Sequence, residues 1–222
     1  MRQTGQWSRS MMGISVVTCL KNRFENFRHM LASIERAEGP SDTEVVVVDF
    51  GSEDGDVRRA LQAAALRTHY VGATPPFRRA KGLNLGFDQA SGEVVFFCDA
   101  DIIVPPAVFS KIRAIVKPDV CFFPICRNLT GQLDLARPLE SQLGEPGALG
   151  EWRTVGYGMC AFHRDDFVRT ARWNESYTRW GGEDRDMHDR AKKAGVRCVR
   201  EKVPGLYHLH HPRSGQFLNK YY

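Results

Sequence analysis

Short apolar runs alternate with longer amphipathic segments along the first half of the chain. The runs at 13–19, 44–50, 93–98 and 119–124 are apolar at most positions, which is typical of strands buried on both faces of a parallel sheet. Residues 68–71 form a further short strand-like run. Strands alternating with helical segments predict an α/β fold with a doubly wound, mostly parallel central sheet.

The segments between these runs predict helices with one apolar face. They lie at 23–36, from the turn at 51–55 to about 66, at 78–90 and at 105–116. The second half of the chain is less regular. It predicts a loop with short strands at 127–152, a strand at 154–162, helices at 164–170 and 183–194, a strand at 196–200 and then a histidine-rich tail.

The pattern predicts a single domain at 13–222, with a regular first half at 13–104 and a less regular second half at 105–222. The polar residues 1–12 are expected to be a disordered tail. No apolar run is long enough to cross a bilayer, and the first residues lack the apolar stretch of a secretory signal. We therefore expect a cytoplasmic protein, with peripheral membrane contact left open.

Composition limits the class of partner. The net charge of +5 and the pI of about 9.0 favour phosphates, anionic glycans or lipid headgroups, although a mildly basic surface without a role explains them equally well. No long basic run argues for nucleic acid. The six cysteines form no CxxC pair, so we expect reduced, buried thiols rather than a zinc ribbon.

Polar clusters follow the predicted strands at 18–23, 49–52 and 99–101. Ligands of open α/β sheets bind at the carboxyl ends of the strands, so these clusters should lie together. Asp99 and Asp101 follow a buried strand and could hold a hard divalent ion that bridges two phosphates. The alternative is a turn with two solvated acids.

Two further clusters lie late in the chain. Trp180-Gly181-Gly182-Glu183-Asp184 predicts a tight turn that places two acids in the first turn of a helix. A carboxylate there could accept a proton from a hydroxyl, or it could merely stabilise the helix. In the segment from His208 to His211, imidazoles could bind Mn²⁺, although such clusters are more often surface features.

A basic group precedes the acidic pair in the chain. Arg78, Arg79 and Lys81 could neutralise phosphates, since a guanidinium contacts a phosphate through two hydrogen bonds. A solvated helix start is the alternative.

The combined pattern resembles a known enzyme family. Residues 13–22, 45–55 and 79–101 are similar to the donor half of inverting glycosyltransferases with the GT-A fold. Residues 76–87 resemble β-1,4-galactosyltransferases, and so does the order of Gly156-Tyr157-Gly158, the 180–184 motif and a late histidine. Bacterial chondroitin-polymerase-type transferases share this arrangement. The resemblance covers nearly all of residues 13–213. It implies that 13–104 is the donor nucleotide half and 105–222 the acceptor half, with a smaller acceptor-side subregion beside the central sheet.

The resemblance implies a binding site for a UDP-sugar with Mn²⁺ or Mg²⁺ as cofactor. It assigns Thr18, Asp49 and Ser52 to uridine, Arg23, Arg79 and Lys81 to the nucleotide or its phosphates, and Asn84 to the same site. Asp99 would contact ribose or metal. Asp101 and His208 would ligate the metal, with His210 or His211 as alternatives to the histidine.

On the acceptor side, the resemblance implies that Asp184 is the base that deprotonates the acceptor hydroxyl. Trp180 would lie on a mobile loop over the donor, and Glu183 would help to place the acceptor, with Gly158 and Gly182 in the substrate site. Galactosyltransferases read Glu-Asp-Asp-Asp after the two glycines, whereas Arg185 takes the third place here.

The implied activity is inverting transfer of a sugar of the Gal, GalNAc, Glc or GlcNAc type to a hydroxyl of a glycan or lipid-linked acceptor, in bacterial polysaccharide or glycoconjugate synthesis. An inactive nucleotide- or glycan-binding module is the alternative. A nucleotidyltransferase would place a glycine-rich loop after the first strand, and residues 19–23 contain no glycine. A zinc protein using Cys198 and the histidines is a third possibility.

Overall fold

A computed structural model describes residues 13–38, 42–131, 134, 137, 139–178 and 181–210. The predicted tail at 1–12, Trp180 and His211 lie outside these residues. The first half begins with three strands, each followed by a helix, as the alternating pattern predicts. These elements are β1 (Ile14–Leu20), α1 (Phe24–Glu38), β2 (Thr43–Asp49), α2 (Val57–Ala63), β3 (Arg67–Gly72) and α3 (Arg79–Gln89).

The remaining elements interleave strands and helices less regularly. They are β4 (Val94–Phe97), β5 (Ile102–Ile103), α4 (Pro106–Ile115), β6 (Val120–Leu129), α5 (Leu139–Leu143), β7 (Leu149–Trp152), β8 (Cys160–His163), α6 (Arg164–Arg169), α7 (Glu183–Lys193) and β9 (Arg197–His208).

The strands of the described residues form one sheet in the order β3-β2-β1-β4-β8-β6-β9-β5, with β7 paired to β6. The first four are parallel, which confirms the doubly wound half. The second half is mixed, because β8 runs antiparallel to both of its neighbours, β4 and β6. Strand β9 is parallel to β6, and β5 is antiparallel to β9.

Both faces of this sheet are covered, which explains why its central strands are apolar at nearly every position. Val16 and Phe96 pack on one face against Phe27 of α1. Val17 and Phe97 point to the other face, where α3, α6 and α7 lie. Successive side chains of a strand alternate between faces, so each strand contributes to both cores.

Three predicted strands have wrong bounds. The strand predicted at 119–124 continues to Leu129 as β6, and the other two differences lie nearer to the candidate site. The strand predicted at 154–162 is regular only at Cys160–His163, because Gly156 adopts a φ of +97° that a strand does not allow. The strand predicted at 196–200 continues to His208 as β9 and so includes part of the histidine-rich tail. Both differences matter for the site.

The six cysteines are all free thiols, and five of them are buried, as their apolar contexts predict. Cys198 lies beside Cys121, with the two sulfurs 3.5 Å apart, at the start of β9. His208 lies at the other end of this strand. The β6 partners of Cys198 and His208 are seven residues apart, so the two residues lie about 23 Å from each other at the usual rise of a strand. A shared zinc site of these residues is therefore excluded. Among the described helices, none has the length and apolar character that crossing a bilayer requires.

Candidate active site

The loops after β1 and β2 hold each other at the carboxyl edge of the sheet. The amide of Asn22 donates to Ser52 Oγ (3.0 Å), and the amide of Glu53 donates to Asn22 Oδ1 (2.9 Å). Ser52 donates from both its amide and its hydroxyl to Asp49 Oδ1 (2.9 and 2.7 Å). Four hydrogen bonds thus fix the edge at which the sequence predicts a nucleotide.

Asp49 lies at this edge, and its second oxygen accepts a hydrogen bond from the Tyr70 hydroxyl (3.2 Å). Burial raises the pKa of Tyr70, and the neighbouring Asp49 carboxylate raises it further, so the phenol stays a hydrogen-bond donor. Thr18 was assigned to the same nucleoside, but its side chain is fully buried, and its hydroxyl has no partner among the described residues. Contact with a ligand would require a neighbouring group to move.

A buried ion-pair network follows β4. Arg79, at the start of α3, contacts Asp99 Oδ1 through Nε (3.0 Å) and through its terminal nitrogen (2.8 Å). The same guanidinium donates to the carbonyl of Gly158 and lies 3.7 Å from Glu183 Oε1. Burial alone would lower the pKa of Arg79, but the charges of Asp99 and Glu183 outweigh it and raise that pKa. The site therefore holds a permanently charged guanidinium.

Glu183 is the least satisfied member of this network. Its residue is 3% exposed, and its Oε2 has no hydrogen-bond partner among the described residues. Burial raises the pKa of Glu183, against the lowering effect of the Arg79 charge. This carboxyl group therefore binds a proton more readily than an exposed glutamate does.

Asp184, the predicted base, begins α7 next to Glu183. Its Oδ2 accepts from the amide of Tyr157 (2.7 Å), and its Oδ1 accepts from the amide of Arg185 (2.8 Å). Gly182 precedes it in the left-handed conformation (φ +92°), and a Cβ there would lie 2.9 Å from the Tyr177 ring. A glycine is required at this turn, as the sequence predicts.

The segment from Gly156 to Gly158 connects Asp184 to Asp99. Tyr157 holds Asp184 through its amide, and Gly158 accepts from Arg79, which holds Asp99. A Cβ on Gly158 would lie 3.2 Å from Asp99 Oδ2, so a side chain there would press against the acid. The structure thus brings Asp99, Glu183, Asp184 and Gly158 into one site.

Asp101 and His208 also come together. Ile102 of β5 pairs with His208 of β9, and the His208 Nε2 lies 3.7 Å from Asp101 Oδ2. His210 is exposed two residues further on, and the alternative His211 lies outside the described residues. Asp99 is held by Arg79 through its Oδ1, and it does not form a group of three potential metal ligands with Asp101 and His208 in the described part of the chain.

These two donors fit Mn²⁺ by type, since one carboxylate oxygen and one imidazole nitrogen suit a borderline metal. Among the residues that the structure describes, no three acids, histidines or cysteines lie close enough together to form a metal site of their own. A cation held by Asp101 and His208 would need diphosphate oxygens and water to complete its coordination. The residues therefore fit a metal that binds together with the nucleotide.

Other predicted residues lie around this centre with different roles. Arg23 precedes α1, and Lys81 is exposed on α3. Asn84 corrects a prediction: its amide donates to the Trp173 carbonyl (2.9 Å) and to Glu175 (2.8 Å), and its oxygen accepts from the Trp173 amide (3.1 Å). These bonds occupy the carboxamide, so Asn84 supports the fold instead of contacting a nucleotide.

The sequence did not indicate a stack of side chains behind Asp184. The ring of Tyr157 lies parallel to that of His188, with centroids 4.1 Å apart, and the Arg200 guanidinium lies 4.3 Å from the Tyr157 centroid. His188 is four residues after Asp184 and so lies on the same face of α7. This four-residue spacing could have indicated that His188 lies near Asp184. No feature of the sequence indicates that Arg200 lies there.

Two family profiles match the sequence, one in the earlier and one in the later part of the chain. The glycosyl transferase family 2 profile matches residues 15–132, and the profile described as the N-terminal domain of galactosyltransferase matches residues 146–212. The mouse N-acetyl-beta-glucosaminyl-glycoprotein 4-beta-N-acetylgalactosaminyltransferase 1 is 34% identical over 82% of this chain. The human chondroitin sulfate N-acetylgalactosaminyltransferase 1 is 29% identical over 90% of it. The matched regions span only 17% and 41% of those relatives.

Solved structures show the same fold. S. aureus TarS 1-349 in complex with UDP-GlcNAc superposes with a TM-score of 0.72 at 18% identity, over 95% of this chain and 62% of that one. The Pyrobaculum calidifontis mannosyltransferase PcManGT in complex with GDP-Man and Mn2+ superposes with a TM-score of 0.67 at 21% identity, over 94% and 59%. The chain has the GT-A fold and belongs to glycosyl transferase family 2.

Proposed function

We propose that this protein transfers a sugar from a UDP-sugar to a hydroxyl group of a glycan acceptor, with inversion at the anomeric carbon. Five of the relatives are named as N-acetylgalactosaminyltransferases, so UDP-GalNAc is the first donor to test. The reaction would serve the synthesis of a polysaccharide or glycoconjugate. A cytoplasmic location stays a prediction.

One observation carries the proposal. Asp184 and Asp99 lie at the two ends of a short hydrogen-bonded path that runs through the Tyr157 amide, the Gly158 carbonyl and Arg79. This path fixes a candidate base relative to the edge where a nucleotide sugar binds in open α/β sheets. An acceptor hydroxyl and a donor sugar held between them would react within one assembled site, and such positioning can lower a barrier by about 7–11 kcal/mol.

In this mechanism Asp184 accepts the proton of the acceptor hydroxyl as its oxygen attacks the anomeric carbon. The two amides that donate to Asp184 keep its carboxylate oriented while each oxygen retains a lone pair. Arg79 keeps Asp99 in place and contributes fixed positive charge beside the departing UDP. UDP leaves as an anion without needing a proton, so one carboxylate suffices, unlike the pair that a glycoside hydrolase uses.

Asp101 and His208 would hold Mn²⁺ or Mg²⁺ on the diphosphate side of the site. When bound, such an ion neutralises charge that develops on a leaving diphosphate. The two residues themselves keep one oxygen and one nitrogen 3.7 Å apart through the pairing of β5 with β9.

Release of UDP tests the proposal. The assay uses the whole chain with UDP-GalNAc, UDP-Gal, UDP-GlcNAc or UDP-Glc, each with and without Mn²⁺ and with a mixture of glycan acceptors. We expect acceptor-dependent UDP release that Mn²⁺ increases, with a β-linked product by NMR. Binding of UDP without turnover on any acceptor would instead support an inactive binding module.

A further inference from the structure

Two cysteines on neighbouring strands lie side by side, outside the candidate active site. Cys121 of β6 and Cys198 of β9 are paired residues of the parallel ladder between these strands, so their side chains point to the same face of the sheet. Their sulfurs are 3.5 Å apart, and the Cys121 thiol donates a hydrogen bond to the Cys198 sulfur. Sugar transfer as proposed above involves neither thiol.

The spacing of the two strands suits a disulfide between these cysteines. Neighbouring strands lie about 4.7–4.9 Å apart, and the Cα atoms of disulfide-bonded cysteines are usually about 4.4–6.8 Å apart. The two sulfurs already face each other at contact distance. Small rotations of the two side chains can therefore join them while β6 and β9 stay paired.

The two thiols differ in their access to solvent and in their acidity. Cys198 is partly exposed, whereas Cys121 is buried. The hydrogen bond from Cys121 lowers the pKa of Cys198, and the charge of Lys192 lowers it too, against the effects of burial and of Asp189. The same hydrogen bond and burial raise the pKa of Cys121. Cys198 is therefore the thiol that reaches solvent and becomes a thiolate more readily.

The other four cysteines lack both of these properties. They are buried, and burial raises the pKa of each thiol. These four are Cys19, Cys98, Cys126 and Cys160. A buried, protonated thiol reacts slowly with oxidants, because the thiolate is the nucleophile. Reaction with an oxidant should therefore begin at Cys198.

We propose that Cys198 and Cys121 form a reversible disulfide when the protein meets a peroxide. The Cys198 thiolate attacks one oxygen of H₂O₂ and becomes a sulfenic acid, and the released hydroxide recombines with the proton that the Cys198 thiol gave up. The Cys121 sulfur then attacks the Cys198 sulfur, the S–O bond breaks, and the departing oxygen takes the Cys121 proton and leaves as water. The two thiols lose two electrons, and one peroxide is reduced to two waters.

The bond would close a loop around the later part of the candidate active site. Gly158, Glu183 and Asp184 all lie between Cys121 and Cys198 in the chain. A crosslink between the ends of this segment restricts the unfolded chain and so stabilises the folded state. The oxidised protein should therefore melt at least about 4 °C above the reduced protein.

Mapping of the oxidised protein tests this inference without any sugar substrate. The whole chain is reduced, freed of reductant, treated with a small excess of H₂O₂ and alkylated, and its peptides are identified by mass spectrometry. We expect a pair of peptides linked through Cys121 and Cys198, with the other four cysteines alkylated. Dithiothreitol should remove the link. Calorimetry of the linked and reduced forms measures the shift in thermal midpoint.

Three variants separate the roles of the two thiols. Cys121→Ala lacks the second thiol, so Cys198 should accumulate as a sulfenic acid that dimedone traps. Cys198→Ser should abolish the link and leave Cys121 reduced. Cys126→Ala is the matched control, because Cys126 lies on the same strand as Cys121 and packs on the opposite face of the sheet. It should form the link as the wild type does.

The inference is wrong if all six cysteines of the wild type are still alkylated after this treatment, or if the links join other cysteines or separate molecules. Oxidation of Cys198 to a sulfinic acid without a link would show that Cys121 is not its partner. An unchanged or lower thermal midpoint of the linked form would also contradict the inference, because a bond that forms without strain in the native sheet must stabilise the fold.

Discussion

A buried glutamate lies at each edge of the parallel sheet, and the two differ in how many polar partners their carboxylates have. At the amino-terminal edge, Glu44 is 0% exposed. It accepts hydrogen bonds from Ser15 Oγ (2.6 Å) and from the amide and hydroxyl of Ser91 (2.6 and 2.9 Å). Arg67 and His69 lie 3.2 and 3.1 Å from its other oxygen. Both oxygens of this carboxylate therefore have polar partners.

At the opposite edge, Glu183 is 3% exposed, yet one oxygen has no partner among the described residues and the other lies 3.7 Å from Arg79. The pKa values shift in opposite directions. Burial raises that of Glu44, but its hydrogen bonds and the Arg67 charge outweigh burial and lower it overall. Burial prevails at Glu183 and raises its pKa.

We infer from this difference that the amino edge serves the stability of the fold and the carboxyl edge the proposed binding of substrates. A carboxylate whose two oxygens both have protein partners stabilises the fold and has no free acceptor for a ligand. A buried carboxylate with an unpaired oxygen is unfavourable until a substrate supplies the missing contact. Substitutions at the carboxyl edge should therefore affect turnover with little effect on unfolding, and substitutions at the amino edge should do the reverse.

The largest effect is expected for Asp184→Asn. The amide cannot accept the acceptor's proton, so kcat should fall by roughly 10²–10⁴-fold, the usual contribution of a general base. UDP binding and the thermal midpoint should stay near the wild-type values. UDP release measures the first and calorimetry the second.

Asp189→Asn is the control for this variant, since Asp189 is exposed on the same helix. It should keep full activity. Loss of UDP binding in Asp184→Asn would contradict the assignment of this residue as the base.

Asp101→Ala should have the second-largest effect. Removing a carboxylate that ligates the metal should weaken UDP binding in Mn²⁺ at least tenfold and leave binding in EDTA unchanged, as titration calorimetry would show. Asp165→Asn, an exposed substitution, should change neither value. An unaltered effect of Mn²⁺ on Asp101→Ala would mean that Asp101 is not a ligand.

Glu44→Gln tests the amino edge. The amide cannot accept all the hydrogen bonds of the carboxylate, so the free energy of unfolding at pH 7 should fall by about 1–3 kcal/mol. Because the folded pKa of Glu44 is lowered, this stabilisation is present above the unfolded pKa of about 4.3 and is lost as pH falls through the folded pKa. Urea unfolding at pH 7 and near pH 3 measures it.

If kcat of Glu44→Gln, measured well below its melting temperature, fell as far as that of Asp184→Asn, the contrast between the two edges would not hold.

Glu183→Gln should change stability less than Glu44→Gln does, and with the opposite pH dependence. The raised pKa of Glu183 means that the folded wild type binds the proton more tightly than the unfolded chain. Wild-type stability should therefore fall as pH rises from about 4.3 through the folded pKa. The variant should lack this decline, so it should gain stability relative to wild type between pH 4 and pH 8. A relative loss over this range would mean that Glu183 is well paired when ionised.

Much of the fold follows from local pattern. Strands β1, β2 and β4 are buried on both faces and mostly apolar, so their parallel pairing and the helices between them could be predicted. The glycine before α7 and the acids after β4 were recognisable because a left-handed turn and a strand end each require particular residue types.

Other features depend on contacts between residues distant in the chain. Arg79 and Gly158 are 79 positions apart, and they meet because β8 is inserted antiparallel between β4 and β6. The sequence analysis assigns Asn84 to the nucleotide site, yet its side chain donates to the backbone carbonyl of Trp173, 89 positions away. Hydrophobic periodicity indicates which face of a strand is buried, but it does not indicate which strand lies beside it.

The sequence by itself determined the layered α/β domain, the edge at which its acids gather and the turn that presents Asp184. The tertiary structure alone decided that β9 brings His208 to Asp101 and Arg200 to Tyr157. The physical reason is that side-chain alternation and turn chemistry are encoded over a few residues, whereas the pairing of β9 with β5 and β6 depends on the packing of the whole sheet.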